Sequence, residues 1–181
     1  ICEESRIGGT CVNRGCVPKK MMVYASHFHE DFADADNYGW TVGETRHNWA
    51  TMMANINDEL DRLNGIYDGL LEGASVTYLP EHGELVDPHT VRVGDKTYTA
   101  ETIWIATGGW PTMPEIPGIE HAITSNEAFL LDDKPGKIVI VGGGYIACEF
   151  AGIFNGLGVE TTQLYRGEMF LRGFDDDLRN C

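Results

Sequence analysis

"KIVIVGGGYIACEFAGIFNGLGVETTQLY", Lys137 to Tyr165, carries the clearest fold signal in the chain. "KIVIV" is a short apolar run of strand type. "GGGYIACEFAGIFNGLG" gives a glycine turn and then apolar residues at helical spacing. "VETTQLY" is a second strand. Strand, turn, helix and strand in that order make a βαβ unit with parallel strands.

Inside this unit Gly142, Gly144 and Ala147 form the pattern G-x-G-x-x-A between the strand and the helix. Gly142 permits the tight turn, Gly144 lets a pyrophosphate approach the backbone, and Ala147 lets helix and strand pack closely. The helix N-terminus then faces the phosphates. A tight turn that binds nothing would use the same residues. The end of the second strand selects among nucleotides. An acid there suits the ribose 2′-hydroxyl of NAD, and arginine suits the 2′-phosphate of NADP. Here Arg166 follows the strand and Arg172 comes six residues later; no acid ends the strand itself, though Glu168 lies two residues after Arg166. Two guanidiniums can clamp a phosphate, so NADPH is expected. Two solvated surface arginines are the plain alternative.

Reading toward the N-terminus, Trp110 to Pro117 holds three of the 7 prolines and reads as a crossover linker. Before it, "ELVDPHTVRVGDKTYTAETIWIATGG" shows short β runs broken at Asp87-Pro88 and Gly94-Asp95. "SVTYL" reads as a short buried strand, and "ICEE" at the start as the end of another, with Cys2 in its core. Asn48 is placed to cap a long helix carrying Trp49, Met52, Ile56, Leu60, Leu63, Tyr67 and Leu70 on one stripe. "DNYGW" is a turn, and Pro18 to Ala35 has a helical pattern.

Ahead of that helix lies "GGTCVNRGCVPKK", Gly8 to Lys20. In an ideal helix, residues five apart lie about 140° around the axis and about 7.5 Å along it. A disulfide needs convergent Cβ vectors and Cα atoms within about 7 Å. Cys11 and Cys16 can therefore bridge only across an irregular turn, which Gly15 and Pro18 favour. The residues alone leave three readings open: a redox pair, part of a metal site, or inert thiols. A C-x4-C spacing is unusual for zinc, and no second tight Cys/His pair is evident.

The formal charge of −15 argues against nucleic acid or an anionic membrane as a general partner. An anionic ligand needs local Arg, Lys or backbone N–H groups. The chain has 5 cysteines and opens without a basic, apolar leader, so a cytoplasmic protein is expected. Cys148, on the helix of the βαβ unit, reads as a small buried hydrophobe, and Cys181 at the chain end has no reading. None of the 6 histidines falls at a catalytic position.

"GGTCVNRGCVPKK" resembles the redox-active motif of the pyridine nucleotide–disulfide oxidoreductases. "ATGG", Ala106 to Gly109, resembles that family's second FAD motif, and "GGGYIACEFAG" its NADPH turn. "VPKK" fits its glutathione and thioredoxin reductase branches. "HFHEDFADADNYGWTVGE" and "LNGIYDGLL" are most similar to the glutathione reductase branch. The resemblance implies an α/β fold made of parts of two Rossmann-like, FAD- and NAD(P)-binding, three-layer domains, truncated at both ends. Residues 1–112 would be a partial FAD-binding domain with the redox disulfide. Residues 113–181 would be a linker and a partial NADPH-binding domain.

The same resemblance implies an enzyme passing electrons from NADPH through FAD and a Cys11–Cys16 disulfide to glutathione disulfide. Cys16 would lie next to the flavin, and Cys11 would attack the substrate. Lys19 and Glu149 would form an ion pair near the flavin. Glu3 would bind the FAD ribose, with Gly9, Thr10, Cys11, Lys19, Gly83, Thr107 and Gly108 completing the FAD site. Tyr145 would cover the nicotinamide pocket beside Gly142, Gly144, Ala147, Arg166 and Arg172. Tyr67 would contact glutathione. No metal is expected. The first FAD glycine motif, the dimerisation domain of a homodimer and an acid–base pair from the second subunit would lie outside these residues, leaving the chain inactive alone. A large-type thioredoxin reductase, and a non-catalytic nucleotide-binding module with a structural cysteine pair, remain the alternatives.

Overall fold

The computed structural model describes residues 1–180; Cys181 lies outside the described residues. By its contacts the chain divides into two compact units. One comprises Ile1–Val17 and Asn57–Ala122, the other Pro18–Ile56 with the residues from Ile123 onward.

The first unit contains a short helix α1 (Gly9–Arg14) and a three-stranded antiparallel sheet, β1 (Gly83–Asp87), β2 (Thr90–Val93) and β3 (Lys96–Thr99), in the order β1-β2-β3. Turns fall at Pro88 and at Gly94-Asp95, where the sequence places the breaks. Two expectations are corrected here. "SVTYL" is not a buried strand: it contributes one isolated parallel bridge, Leu79 to Cys2. Only Ile1 to Glu3 run beside it, and the pairing consists of bonds from Ile1, Leu79 and Glu3. Cys2 is exposed rather than core, its backbone paired only through that bridge among the described residues.

In the second unit α2 (Cys16–Asp34), the part of α3 (Trp49–Gly73) up to Ile56, the short α4 (Ser125–Ala128) and α5 (Tyr145–Gly156) supply most of the core. The α3 start follows the Asn48 cap, whose Oδ1 accepts from Thr51 N–H at 2.8 Å. Of the expected stripe, Trp49 and Ile56 are buried, and in the first unit Leu60, whereas Met52 is only half-buried and its neighbour Met53 is the one in the core. Tyr67 and Leu70 on the same stripe are exposed. Trp49 stacks on Phe154 (6.1 Å between centroids), Phe154 on Phe150 (5.9 Å), and Phe129 tilts against Phe150 (5.0 Å). The Trp49 indole N–H donates to Leu131 O at 2.9 Å, so the buried ring keeps no unpaired donor. Cys148 is only half-buried, and Gln163 Nε2 lies 3.6 Å from its sulfur. It lies on α5 with its thiol beside that amide.

The βαβ unit forms as its sequence indicates. β4 (Lys137–Val141) and β5 (Glu160–Leu164) pair in parallel, Lys137 opposite Glu160 through Val141 opposite Leu164, with α5 between them in the chain.

One contact fixes α2 against α5. A Cβ on Gly156 would lie 2.6 Å from Ser26 O and 2.9 Å from Ser26 Cβ, so the two backbones touch there. Lys19 is seven residues before Ser26, and Glu149 seven before Gly156. Two helices joined at equal offsets run side by side in the same direction, and about 10 Å of rise brings the two earlier residues together. Gly156→Ala is expected to destabilise the chain by about 1–3 kcal/mol through forced separation of α2 and α5. Urea unfolding of the variant beside the parent measures it, and an unchanged midpoint would contradict the close approach.

Candidate functional site

α1 ends at Arg14 and α2 begins at Cys16, so Gly15 is the break between them. The irregular turn required for bridging is present: Cys11 and Cys16 are joined by a disulfide with Cα atoms 4.7 Å apart. The sulfurs are bonded to each other, as neither metal ligands nor free thiols would be. Both cysteines are exposed. Gly15 is needed for lack of a side chain, since a Cβ there would stand 2.8 Å from Thr10 O and 3.1 Å from Cys11 Cα.

Residues the sequence did not single out hold the loop. Asn13 Nδ2 donates to the carbonyls of Arg6 (3.2 Å), Ile7 (3.1 Å) and Gly9 (3.1 Å). Asn64 on α3 donates to Asn13 Oδ1 and to Ile7 O, both at 2.9 Å. Arg6 Nε donates to Asn64 Oδ1 at 2.7 Å and the guanidinium also pairs with Asp61. The signal was available: asparagine is a poor helix former, and in helices it tends to bond backbone. Arg14 places its guanidinium 4.3 Å from the centroid of Trp110, a cation–π contact. Tyr67 follows Asn64 by three residues on α3 and is exposed.

Also in the first unit, Glu3 N–H donates to Leu79 O, and its carboxylate accepts from Ser5 N–H at 2.9 Å. Tyr78 donates to Glu3 O at 3.2 Å, and burial, then the Asp68 and Glu3 charges, push its phenol up. Gly83 backs onto Cys2, 3.1 Å from Cβ to Cβ had it a side chain. Gly9 and Gly108 face open space, where a Cβ would meet nothing within 4 Å, and Thr10 and Thr107 are exposed. Such bare, accessible backbone fits the approach of a cofactor such as FAD.

In the second unit Lys19 Nζ lies 2.6 Å from Glu149 Oε2 and 5.2 Å from the Tyr145 ring centroid. The lysine side chain is 12% exposed against 42% for Glu149, so the cation is the better shielded partner. α5 starts at Tyr145 with Gly144 as its N-cap residue, and nothing lies within 4 Å of a Cβ at Gly144. Gly142 has φ 148, a left-handed conformation that favours glycine, and a Cβ there would press on the Ala147 methyl at 3.2 Å. Bare N–H groups at a helix start with open space in front fit a nucleotide diphosphate. Arg166 and Arg172 are exposed and, among the described residues, pair with no carboxylate. The other arginines that lack a carboxylate partner reduce to Arg14. In a chain of charge −15, cations left free are open to an anionic ligand.

A family model described as pyridine nucleotide-disulphide oxidoreductase matches residues 1–181. The chain is 51% identical to a glutathione reductase of Nostoc sp. over 99% of its own length and 39% of that protein. It is 42% identical to the thioredoxin reductase SEP1 of Emiliania huxleyi over 95% of its length and 36% of that protein. Among solved structures, the Cu(II) complex of the flavoprotein disulfide reductase RclA from Escherichia coli superposes with a TM-score of 0.82 at 28% identity. That match covers 99% of this chain and 39% of RclA. The chain therefore spans about two fifths of the length of the relatives it matches.

Gly15→Ala should push Cys11 and Cys16 apart and weaken the loop by about 1–3 kcal/mol. Thiol titration of the oxidised chain checks it: the variant is expected to show free Cys11 and Cys16 thiols under conditions that keep the parent's pair bonded. Equal thiol counts would refute the steric argument.

Proposed function

The chain belongs to the pyridine nucleotide-disulphide oxidoreductases, and from that premise we propose that it carries the exchangeable disulfide of an NADPH-dependent glutathione-disulfide reductase. The observation that carries the reading is the exposed Cys11–Cys16 bond across the helix break. The 51% identity to a glutathione reductase supports the substrate. In the same reading residues 1–112 serve FAD, residues 113–181 serve NADPH, and the complete protein is a cytoplasmic homodimer.

FAD, when bound, supplies the two-electron chemistry that links a nicotinamide to a disulfide. Glu3, Gly9, Thr10, Cys11, Lys19, Gly83, Thr107 and Gly108 would hold it. Gly142, Gly144, Tyr145 and Ala147 would take the diphosphate and nicotinamide side of NADPH, and Arg166 with Arg172 its 2′-phosphate. Lys19, fixed between Glu149 and Tyr145, would present a stationary positive charge to the flavin.

The chain's own step is thiol–disulfide exchange. With the pair reduced, the Cys11 thiolate attacks one sulfur of glutathione disulfide. A Cys11–glutathione bond forms as the substrate S–S bond breaks, and the first glutathione leaves as a thiolate. Tyr67 would steady the substrate during this attack. The Cys16 thiolate then attacks the Cys11 sulfur, restores the Cys11–Cys16 bond and releases the second glutathione. Two electrons pass from the dithiol to the substrate, and each released thiolate takes up a proton.

The 42% identity to a thioredoxin reductase favours a second reading, in which the disulfide of a thioredoxin is the acceptor. In the complete, FAD-loaded protein, Cys11→Ser is expected to lower NADPH-dependent reduction of glutathione disulfide by more than about a thousandfold. Flavin bleaching by NADPH should persist. Undiminished turnover would end the assignment of Cys11. Turnover of the parent with oxidised thioredoxin but not with glutathione disulfide would select the second reading.

A further inference from the structure

Gly143, the middle residue of the glycine turn, belongs to neither the G-x-G-x-x-A pattern nor any site assigned above. It is buried, and what buries it is the Tyr165 ring. A Cβ on Gly143 would lie 2.6 Å from both Cγ and Cδ2 of that ring. The opposite edge of the ring meets Gly167, where a Cβ would lie 2.6 Å from Cε1 and 2.7 Å from the hydroxyl oxygen. The ring also stacks on Phe170, with 5.5 Å between centroids and 24° between planes.

The chain leaves β5 at Tyr165, makes a short excursion and returns to the same glycine. Leu171 N–H donates to Gly143 O at 2.6 Å, and Leu171 takes φ 59 to do so, a conformation unfavourable for a residue with a side chain. Arg179 holds the excursion from the other side through the carbonyls of Phe170 (2.9 Å) and Met169 (3.3 Å). Gly143 is thus touched twice, by residues 165 and 171. Each of these is followed immediately by Arg166 or Arg172, the pair that meets no carboxylate among the described residues.

We propose that Tyr165, seated on Gly143, is the positioning residue that sets the distance between the diphosphate turn and the Arg166–Arg172 pair, and so determines preference for a 2′-phosphorylated nicotinamide nucleotide. The inference rests on the NADPH reading given above. A dinucleotide has a fixed span from its diphosphate to its adenosine 2′-position. The arginines can meet the 2′-phosphate only if their loop is held in register with the turn. A ring with few rotatable bonds, wedged between two glycines, holds that register better than a flexible side chain. NADH needs the turn but not the arginines, so the register matters for one nucleotide and not for the other.

The test uses the complete, FAD-loaded enzyme and compares kcat/KM for NADPH with that for NADH. Tyr165→Ala and, independently, Gly143→Ala are expected to lower the NADPH-to-NADH ratio at least about tenfold, chiefly through KM for NADPH, as lost phosphate contacts would. Tyr165→Phe, which keeps the ring, should keep the ratio. If Tyr165→Ala and Gly143→Ala fold, by flavin absorbance and circular dichroism, yet leave the ratio unchanged or depress both nucleotides equally, the inference is overturned. Arg166→Ala and Arg172→Ala separate the two levels. If they collapse the ratio while Tyr165→Ala does not, the positioning role alone is wrong. If they leave it unchanged, the NADPH assignment fails and the inference with it.

Discussion

The touch between Gly156 on α5 and Ser26 on α2 is the constraint on which the second unit is built. With no side chain at position 156, the helices meet backbone to backbone and run in the same direction. The aromatic set of Trp49, Phe129, Phe150 and Phe154 then fills the space beside them. The same approach delivers Lys19 to Glu149 and to the face of Tyr145. An ion pair with one partner mostly shielded is costly to leave unmatched. The packing that creates it must therefore be dependable, and a close glycine contact in a dense core is dependable in that sense.

The disulfide loop of the first unit solves a different problem. Two cysteines five apart on a helix point away from each other, so the helix has to be interrupted. Gly15 interrupts it, and the carbonyls of Arg6, Ile7 and Gly9, at and before the start of α1, anchor the loop from its other end. Asn13 and Asn64 satisfy them, tying the loop to α3. The bond remains exposed while its frame is fixed by hydrogen bonds. An accessible bond in a constrained frame is suited to repeated opening and closing without loss of register.

Charge is distributed with the same economy. Most arginines sit against a carboxylate in this acidic chain, while Arg14 stacks on Trp110 and, among the described residues, Arg166 and Arg172 pair with no carboxylate. Free guanidiniums against a background of −15 create local potential where the whole molecule would repel an anion. The two ties from Gly143 to Tyr165 and Leu171 turn a loop into a gauge.

Period and punctuation were enough to locate α2, α3, the three-stranded sheet and the βαβ unit, because each is set by local spacing of apolar residues and by Gly, Pro and Asn at its ends. The need for a break between Cys11 and Cys16 was likewise legible, since helix geometry forbids their bridging otherwise. The sequence failed at "SVTYL" and Cys2, because a strand depends on neighbours that no local pattern reveals. It missed Asn13, Asn64 and the Gly143–Tyr165 seat for a related reason. Those residues act through partners distant in the chain, or through the space a missing side chain leaves, and such space exists only once the backbones have been brought together.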